Sequence, residues 1–293
     1  MNYLPEGVCS EYLLNVIREI GIKVSSVLNT YTQNTLNFKE FSKKLDIKNI
    51  KDDIVTEADF KVNDIIKDSI KDNFPDLGWE FLSEEDYKLK EVDDFKSDWV
   101  WIIDPLDGTR DFVNQSGEYA SHIALAHKKK IIMANVIIPS KDELWFYMKD
   151  KGAWCEDLFS NRITFQSLKN KKRNEIIITK SRSHSHEKLE NLLIRFNPRK
   201  VVGMGSIGYK ITSIIRGEAD LYISYSLPGK TSPKDWDMAA PEAILRGYGG
   251  YLTDIEGNDL SFLKDKEFNQ EGIIIGSLNL DHMDICKDIQ KFI

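Results

Sequence analysis

One six-residue segment constrains this chain more than any other: Asp104-Pro105-Leu106-Asp107-Gly108-Thr109. The apolar run Trp99–Ile103 comes directly before it and predicts a buried strand. A strand that ends in two aspartates is typical of a site for a hard cation, since carboxylate oxygens are the ligands that Mg²⁺ prefers. Pro105 fixes the backbone between the acids, and Gly108 can adopt φ > 0, so that the following N–H groups can converge on an anion. The segment therefore predicts a strand end where a cation and a phosphate meet.

Composition favours a cytoplasmic enzyme. With 293 residues, of which 41% are hydrophobic, the chain can bury a sizeable core in one large domain or two joined closely. No apolar run approaches the ~20 residues that cross a bilayer, and the N-terminus does not have the pattern of a signal peptide. Three separated cysteines argue against a disulfide framework or a zinc cluster. The net charge of −7 disfavours nucleic acid but permits an anionic substrate, because acids can hold cations.

Hydrophobic periodicity predicts a mixed α and β protein. Helices are expected at 9–30, from Thr56 or Glu57 to near Pro75, and at 186–196, 207–216, 238–247 and from Asp281 onward. Strands are expected at 79–82, 99–103, 119–126, 131–138, 144–148, 175–179, 221–224, 251–253 and 272–275. The polar, Lys-rich stretch from Asn34 to Asp53 is predicted to include an exposed loop. The pattern changes from successive strands to alternating strands and helices, so we place a boundary near residues 156–172.

Carboxylates follow apolar segments at four places in the chain. They are Asp59, Glu84 in Leu82-Ser83-Glu84-Glu85, the Asp104/Asp107 pair, and Asp237 after Trp236. Taken singly, each acid fits a turn residue or a helix cap, and Asp237 could simply cap the helix predicted at 238–247. Together, four of them could supply the rigid oxygen ligands of a Mg²⁺ site, with no competing His or Cys to select zinc: Glu84, Asp104, Asp107 and Asp237.

Such a site suits phosphoryl transfer to water. Two cations would polarise the phosphoryl group and lower the pKa of a bound water. Thr109 stands where a helix N-terminus could bring its hydroxyl and N–H to the same phosphate. A phosphatase with an aspartyl nucleophile also carries an Asp-Gly-Thr run, but it needs that nucleophile two residues before the second Asp, where this chain has Pro105. EF-hand and P-loop patterns are absent from the sequence. The spacing therefore favours metal-activated water.

At this point the sequence resembles the inositol monophosphatase superfamily of Mg²⁺-dependent, lithium-sensitive phosphatases. Three motifs carry the resemblance in order, and the pair Gly249-Gly250 follows them: Leu82–Glu85, Asp104–Thr109 and Trp236–Glu242. The resemblance implies a mixed α/β (α+β) fold, layered as an αβαβα sandwich. It implies two or three Mg²⁺ ions, with Glu84, Asp104, Asp107, Asp237 and the backbone carbonyl of Leu106 as ligands. It also implies that Asp59 and Thr109 orient and activate the attacking water.

The same resemblance suggests two subdomains, 1–158 and 159–293. The first would carry most metal ligands, and the second the last ligand and the substrate-binding residues. The family often forms dimers, so a homodimer is one expectation. Neither a nucleic-acid polymer nor a membrane is expected as a partner.

The second half of the chain looks like the 3′(2′),5′-bisphosphate nucleotidase branch. Its segments are Ser181–His184, Gly205–Lys210 and Pro228–Trp236. They imply that a nucleotide bisphosphate would contact Gly108, Thr109, His184, Ser206, Lys210 and Lys234. The phosphate outside the metals needs cationic or N–H partners, which Lys210, Lys230, Lys234 and Arg182 could supply. Lys230 and Lys234 could equally be surface lysines with no role in binding, and His184 could cap the following helix.

The expected reaction is hydrolysis of the 3′-phosphate of adenosine 3′,5′-bisphosphate. An inositol or sugar (bis)phosphatase is the alternative within enzymes. A non-catalytic metabolite sensor on the same fold is a more remote alternative, because the catalytic and metal-ligating residues of the pattern are all present.

Overall fold

Alternating layers of helix and sheet organise this chain in its computed structural model. The structure describes residues 4–42, 50–89, 94–166, 171–227, 229–264 and 267–293, with side chains described outside 34–42 and 50–56. Its first sheet contains seven strands in chain order. They are β1 (Glu80–Ser83), β2 (Trp99–Asp107), β3 (Ala120–His127), β4 (Lys130–Ile138), β5 (Glu143–Met148), β6 (Gly152–Asp157) and β7 (Arg162–Ile163). β1 is parallel to β2, and each later pair is antiparallel.

The second sheet contains five strands in the order β11-β12-β10-β8-β9. They are β8 (Ile177–Ser181), β9 (Lys200–Met204), β10 (Leu221–Ser226), β11 (Tyr251–Asp254) and β12 (Gly272–Ser277). β8 runs parallel to both β9 and β10, whereas β12 is antiparallel to β10 and β11. The sheet is therefore mixed.

The helices form three layers around the sheets. They are α1 (Ser10–Ser42), α2 (Ile50–Asn73), α3 (Glu84–Lys88), α4 (Thr109–Asn114), α5 (Glu187–Phe196), α6 (Ile207–Ile215), α7 (Asp235–Gly247) and α8 (His282–Gln290). α1 and α2 cover one face of the first sheet, α6 and α7 lie between the sheets, and α5 and α8 cover the far face of the second. This layering confirms the mixed α/β sandwich.

Strand β2 shows why its sequence is a continuous apolar run. Successive side chains of a strand point to opposite faces. Trp101 and Ile103 pack with α1 and α2, whereas Val100 and Ile102 pack in the core that contains α6 and α7. Both faces are covered, so no polar alternation is left, and Asp104 ends the run as a fully buried acid.

The stretch from Asn34 to Asp53, predicted to include an exposed loop, is helical at both of its ends. α1 continues to Ser42, and α2 already begins at Ile50, whereas residues 43–49 lie outside the described part. The two helices pack on each other, and such tertiary support extends a helix beyond its apolar stripe. The helix predicted at 238–247 likewise begins earlier, at Asp235.

The two sheets share one core. The first sheet ends at Ile163 and the second begins at Ile177, whereas residues of α7 pack in the same cluster as β4 and β5 of the first sheet. The division into subdomains 1–158 and 159–293 stays a prediction. Over the described residues, no helix is long and apolar enough to cross a membrane.

Candidate active site

The turn after β2 is shaped by Gly108. Its φ of +86° lies in the left-handed region, and α4 begins at the next residue, Thr109. The Gly108 carbonyl accepts hydrogen bonds from the N–H groups of Asp111 (2.8 Å) and Phe112 (3.0 Å). A Cβ at Gly108 would stand 3.1 Å from the carbonyl oxygen of Glu118 and from Ser206. Glycine is therefore favoured by both conformation and space.

Asp104 lies at the centre of the acid cluster. Its carboxylate is fully buried, and Oδ1 accepts a hydrogen bond from the Leu106 N–H at 3.1 Å. Oδ2 has no hydrogen-bond partner among the described residues. Burial raises the pKa of Asp104 well above its usual range, and the charges of Glu84, Asp107 and Asp237 raise it further. Asp104 thus faces three other carboxylates with one oxygen unpartnered.

The parallel pairing of β1 with β2 brings Glu84 to this cluster. Ser83 pairs with Ile103, so the next residues of the two strands, Glu84 and Asp104, emerge at the same edge. Burial raises the pKa of Glu84, although the Lys88 ammonium, 2.9 Å from its Oε1, opposes the shift. Glu84 is therefore an acid at the start of α3 rather than part of a solvated loop.

Asp237 approaches from the first turn of α7. Its Oδ2 accepts a hydrogen bond from the Lys234 N–H at 2.5 Å, so it does cap this helix, from inside its first turn. Burial raises the pKa of Asp237 well above its usual range, with further contributions from Asp107 and Glu84. The cap and the cluster are therefore compatible roles for one carboxylate, and the structure brings together all four acids that the sequence singled out.

Asp107 and Leu106 complete the turn. Asp107 Oδ2 accepts hydrogen bonds from the N–H groups of Ile207 and Gly208, the latter at 3.3 Å. The carbonyl oxygen of Leu106 accepts a hydrogen bond from the Thr109 hydroxyl at 3.3 Å. The turn thus presents a second carboxylate, a carbonyl and a hydroxyl within four residues.

Asp59 reaches the cluster from α2. Its side chain is buried, and Oδ1 has no hydrogen-bond partner in the part of the chain that is described. Burial raises the pKa of Asp59 to about 8, and the charges of Glu85 and Glu84 act in the same direction. Asp59 and Thr109 form no hydrogen bond with each other in the described part, so any joint action on a water needs that water between them.

His122 is a site residue that the sequence did not indicate. It lies on β3 directly opposite Asp104 and is fully buried. Its Nε2 is 3.5 Å from Asp107 Oδ2, and one donor atom each from Asp104, Asp107 and His122 lie within 4.8 Å of one another. The expectation that no histidine competes with the acids is therefore wrong. Only the pairing of β2 with β3 could have revealed it.

Lys210 supplies a buried cation beside the acids. Ser206 begins α6 as its cap and accepts the Tyr209 N–H at 2.8 Å, which puts Lys210 in the first turn. The Lys210 ammonium donates to the carbonyl of Gly205 and is almost fully buried. Burial lowers its pKa to about 8, against the opposing charges of Asp107, Asp111, Asp237 and Glu118.

The other predicted substrate contacts have partners of their own. His184 is exposed, with Nδ1 3.1 Å from the Ser183 hydroxyl. The reading of His184 as a helix cap is wrong, because His186 caps α5 by accepting the Leu189 N–H at 3.3 Å. Partial loss of solvent around the exposed His184 ring lowers its pKa, and the nearby cations Arg110 and Lys210 lower it further.

Lys234 and Arg182 are engaged outside the acid cluster. The Lys234 ammonium donates to the carbonyl of Glu267 at 2.7 Å and lies 5.3 Å from the Tyr87 ring centre. The Arg182 guanidinium pairs with Asp111 and Glu118. Lys230 is exposed. Their proposed contacts with a substrate therefore stay predictions, whereas Lys210 is buried beside the acids.

A hard divalent cation fits this arrangement. Several buried carboxylates raise one another's pKa, and oxygen atoms of Asp59 and Asp104 are buried without a hydrogen-bond partner. Burying like charges together is costly unless a cation compensates them. The donors that converge here are mainly oxygen atoms, which suit Mg²⁺.

Comparison with known proteins also indicates a phosphatase. A sequence model described as "Inositol monophosphatase family" matches residues 10–293. The chain is 28% identical to the 3′(2′),5′-bisphosphate nucleotidase CysQ of Salmonella typhimurium over 80% of this chain and 87% of that one. It is 31% identical to the human 3′(2′),5′-bisphosphate nucleotidase 1 over 78% of this chain and 81% of the relative. The fold is similar to that of inositol monophosphatase II from Staphylococcus aureus, with a TM-score of 0.72, 22% identity and 96% of both chains covered.

Proposed function

The chain belongs to the inositol monophosphatase family, whose members are metal-dependent phosphatases, and from that premise we propose that it hydrolyses the 3′-phosphate of adenosine 3′,5′-bisphosphate. One observation carries the proposal: Asp104, fully buried and with Oδ2 unpartnered among the described residues, lies in a carboxylate cluster whose members Asp107 and Asp237 act on the buried ammonium group of Lys210. The acids suit cations at the phosphate to be cleaved, and the lysine suits a further phosphate.

Mg²⁺ would be held by Glu84, Asp104, Asp107, Asp237 and the carbonyl of Leu106, as two or three ions. When bound, such ions supply positive charge that stabilises phosphoryl oxygens and makes water more acidic. The geometry that supports this set is the shared edge of β1 and β2, the turn at Gly108 and the first turn of α7.

Asp59 is the proposed proton acceptor. Its Oδ1 is buried without a partner, so it is available to a water molecule in the cluster. Thr109 donates its own proton to the Leu106 carbonyl, which leaves the lone pairs of its hydroxyl oxygen free to accept from the same water. The two groups would therefore hold one water from two sides, with Asp59 taking its proton as the oxygen attacks phosphorus. The bond from phosphorus to the 3′ oxygen then breaks, and that oxygen leaves as the 3′-hydroxyl group after it takes a proton from solvent water.

The substrate assignment is supported by Lys210 and by the relatives. A bisphosphate carries one phosphate outside the catalytic cations, and a buried ammonium group at the start of α6 is a strong partner for it. Gly108, Ser206 and His184 are proposed to line the same space. The Salmonella and human relatives are both named as bisphosphate nucleotidases, and both match most of this chain.

A phosphatase for inositol or sugar phosphates is the second candidate. The acid cluster alone would serve any phosphate monoester, and the S. aureus inositol monophosphatase shares the fold. A metabolite sensor is disfavoured because Asp59, Thr109 and the four acids are all retained. A cytoplasmic location, a homodimer and lithium sensitivity accompany the proposal as predictions.

A phosphate-release assay with three substrates tests the proposal. Adenosine 3′,5′-bisphosphate, inositol 1-phosphate and fructose 1,6-bisphosphate are compared at equal concentration, with Mg²⁺ and with a chelator. We expect the nucleotide to give the highest kcat/KM, adenosine 5′-phosphate as its product, and no release with the chelator. A higher kcat/KM for inositol or sugar phosphate would favour the second candidate, and no release from any substrate would revive the sensor.

A further inference from the structure

The pairing of β2 with β3 places an imidazole beside the proposed metal site. Asp104 and His122 are direct partners in the antiparallel register. Directly opposed side chains lie on the same face of a sheet, ~4.5–5.5 Å apart at Cβ. His122 is fully buried on this face, as Asp104 is. The ring is therefore part of the wall of the acid cluster.

The hydrogen bond of the ring fixes which nitrogen carries the proton. His122 Nδ1 lies 3.3 Å from the carbonyl oxygen of Trp236, the residue before Asp237. A carbonyl oxygen only accepts, so Nδ1 must donate, and a neutral ring then has its lone pair on Nε2. A backbone carbonyl that holds one imidazole nitrogen is the usual support of a histidine whose other nitrogen binds a metal.

The lone pair on Nε2 meets no hydrogen-bond donor in the described part of the chain. Within the described residues, Nε2 is buried without a hydrogen-bond partner, and Asp107 Oδ2 lies 3.5 Å away. A nitrogen lone pair facing a carboxylate in a buried site is unfavourable unless a cation lies between them. Gly208 packs closely against the ring, since a Cβ there would stand 2.3 Å from Nε2. The ring thus has little room to turn away.

We propose that His122 Nε2 is a nitrogen ligand to a divalent cation at Asp104 and Asp107, so that this site binds Mn²⁺ or another imidazole-preferring ion more tightly than oxygen ligands alone would allow. Imidazole suits first-row transition metals, whereas Mg²⁺ prefers oxygen and water. Since Asp107 Oδ2 already accepts from Ile207 and Gly208, Oδ1 of Asp107 is the oxygen left free for the ion. This inference rests on the metal-binding role proposed for the two aspartates.

A different protonation state of the His122 ring would leave the ion without a nitrogen ligand. If the ring were instead a doubly protonated imidazolium, its Nε2–H would donate to Asp107 and no nitrogen would contact the ion. The two arrangements differ in one observable, which is the magnetic coupling between a bound Mn²⁺ and a directly ligating nitrogen.

Pulsed EPR of the full chain with Mn²⁺ alone tests the inference. We expect ¹⁴N modulation from a directly bound imidazole, replaced by the ¹⁵N pattern when the protein is labelled with [¹⁵N]histidine. His122→Asn keeps an amide N–H for Trp236 but lacks the second nitrogen. It should lose the modulation and raise the Kd for Mn²⁺ by about tenfold or more, with a much smaller change for Mg²⁺. His127→Asn, at the other end of β3, is the matched control and should keep both.

Wild-type protein that binds Mn²⁺ without nitrogen modulation, or modulation that survives in His122→Asn, would overturn the inference. Because the label enters all five histidines, His122→Gln is the second variant where His122→Asn fails to fold, and it should lose the modulation as well. Substrate turnover plays no part in this readout, so an inactive but nitrogen-ligated protein would reject the proposed phosphatase and leave this inference standing.

Discussion

The carboxylate of Asp107 accepts a hydrogen bond from the backbone N–H of Ile207, 100 positions later in the chain. The neighbouring N–H of Gly208 donates to the same oxygen, at 3.3 Å. An anion at the start of a helix is stabilised by the free N–H groups and by the helix dipole. Ser206 adds a third hydrogen bond, from its N–H to the Glu118 carbonyl at 2.8 Å. The acidic turn and the segment that carries Lys210 are therefore held as one unit.

Gly208→Ala should disturb the packing between the start of α6 and the acidic turn at Asp107. The new Cβ would stand 2.3 Å from His122 Nε2 and 3.0 Å from a methyl group of Val136. Overpacking of this kind costs roughly 1–3 kcal/mol. We expect urea denaturation to show a free energy of unfolding lower by about that amount, with part of it recovered when His122→Ala is added. Wild-type stability in the single variant would contradict the packing described for this helix.

Lys210→Met tests the bisphosphate role. The variant keeps much of the side-chain length and removes the ammonium group that lies buried at the start of α6. A hydrogen bond to a charged group contributes roughly 1.5–3 kcal/mol, which corresponds to about 10- to 100-fold in kcat/KM.

We expect that loss with adenosine 3′,5′-bisphosphate and a clearly smaller one with adenosine 3′-phosphate, which lacks the second phosphate. Lys188→Met, on the exposed side of α5, is the control and should change neither rate. Equal losses on the two substrates would count against a specific contact with the second phosphate.

The metal-free protein should lose stability as the pH rises through the range in which its buried acids ionise. Burial and mutual repulsion raise the pKa values of Glu84, Asp104 and Asp237 in the folded state. The folded protein therefore binds protons that the unfolded chain has already released, so raising the pH favours unfolding.

Mg²⁺ should oppose this loss, because it binds the ionised carboxylates of the folded state. We expect the increase in Tm on adding Mg²⁺ to be large near pH 8 and to shrink towards pH 5, where protons compete for the same oxygens. Differential scanning fluorimetry at several pH values measures it. An increase that stays constant or grows on acidification would show that Mg²⁺ stabilises the protein elsewhere.

The apolar run before Asp104 was sufficient to predict β2, and the acids at the ends of apolar segments were sufficient to indicate candidate members of the cluster. Both are local signals: a strand covered on both faces needs apolar side chains throughout, and its end must carry the polar groups. The meeting of Glu84 with Asp104 could be expected only from the family motifs, because it depends on the parallel pairing of β1 with β2.

Some short helices, helix ends and site residues could not be predicted from the sequence, for physical reasons. α3 and α4 contain five and six residues, too few to show helical periodicity. Between Asn34 and Asp53 the polar composition indicated a loop, yet α1 reaches Ser42 and α2 begins at Ile50. His122 lies in an apolar strand, and only the register of β3 on β2 shows that it faces the acids.

Asp104→Asn provides the most direct test of the proposed site. The substitution removes one negative charge from the centre of the cluster and keeps the shape of the side chain. The substitution removes the repulsion between position 104 and the charges of Glu84, Asp107 and Asp237. The metal-free variant should therefore be at least as stable as the wild type. Asp98→Asn, an exposed acid just before β2, is the matched control.

The decisive measurement is Mg²⁺-dependent phosphate release from adenosine 3′,5′-bisphosphate by these three proteins. We predict release by the wild type and by Asp98→Asn, and a loss of about 10³-fold or more in kcat for Asp104→Asn, with circular dichroism unchanged; a loss of that size corresponds to about 4 kcal/mol of transition-state stabilisation. Wild-type turnover by folded Asp104→Asn would contradict the claim that this carboxylate holds the catalytic metal.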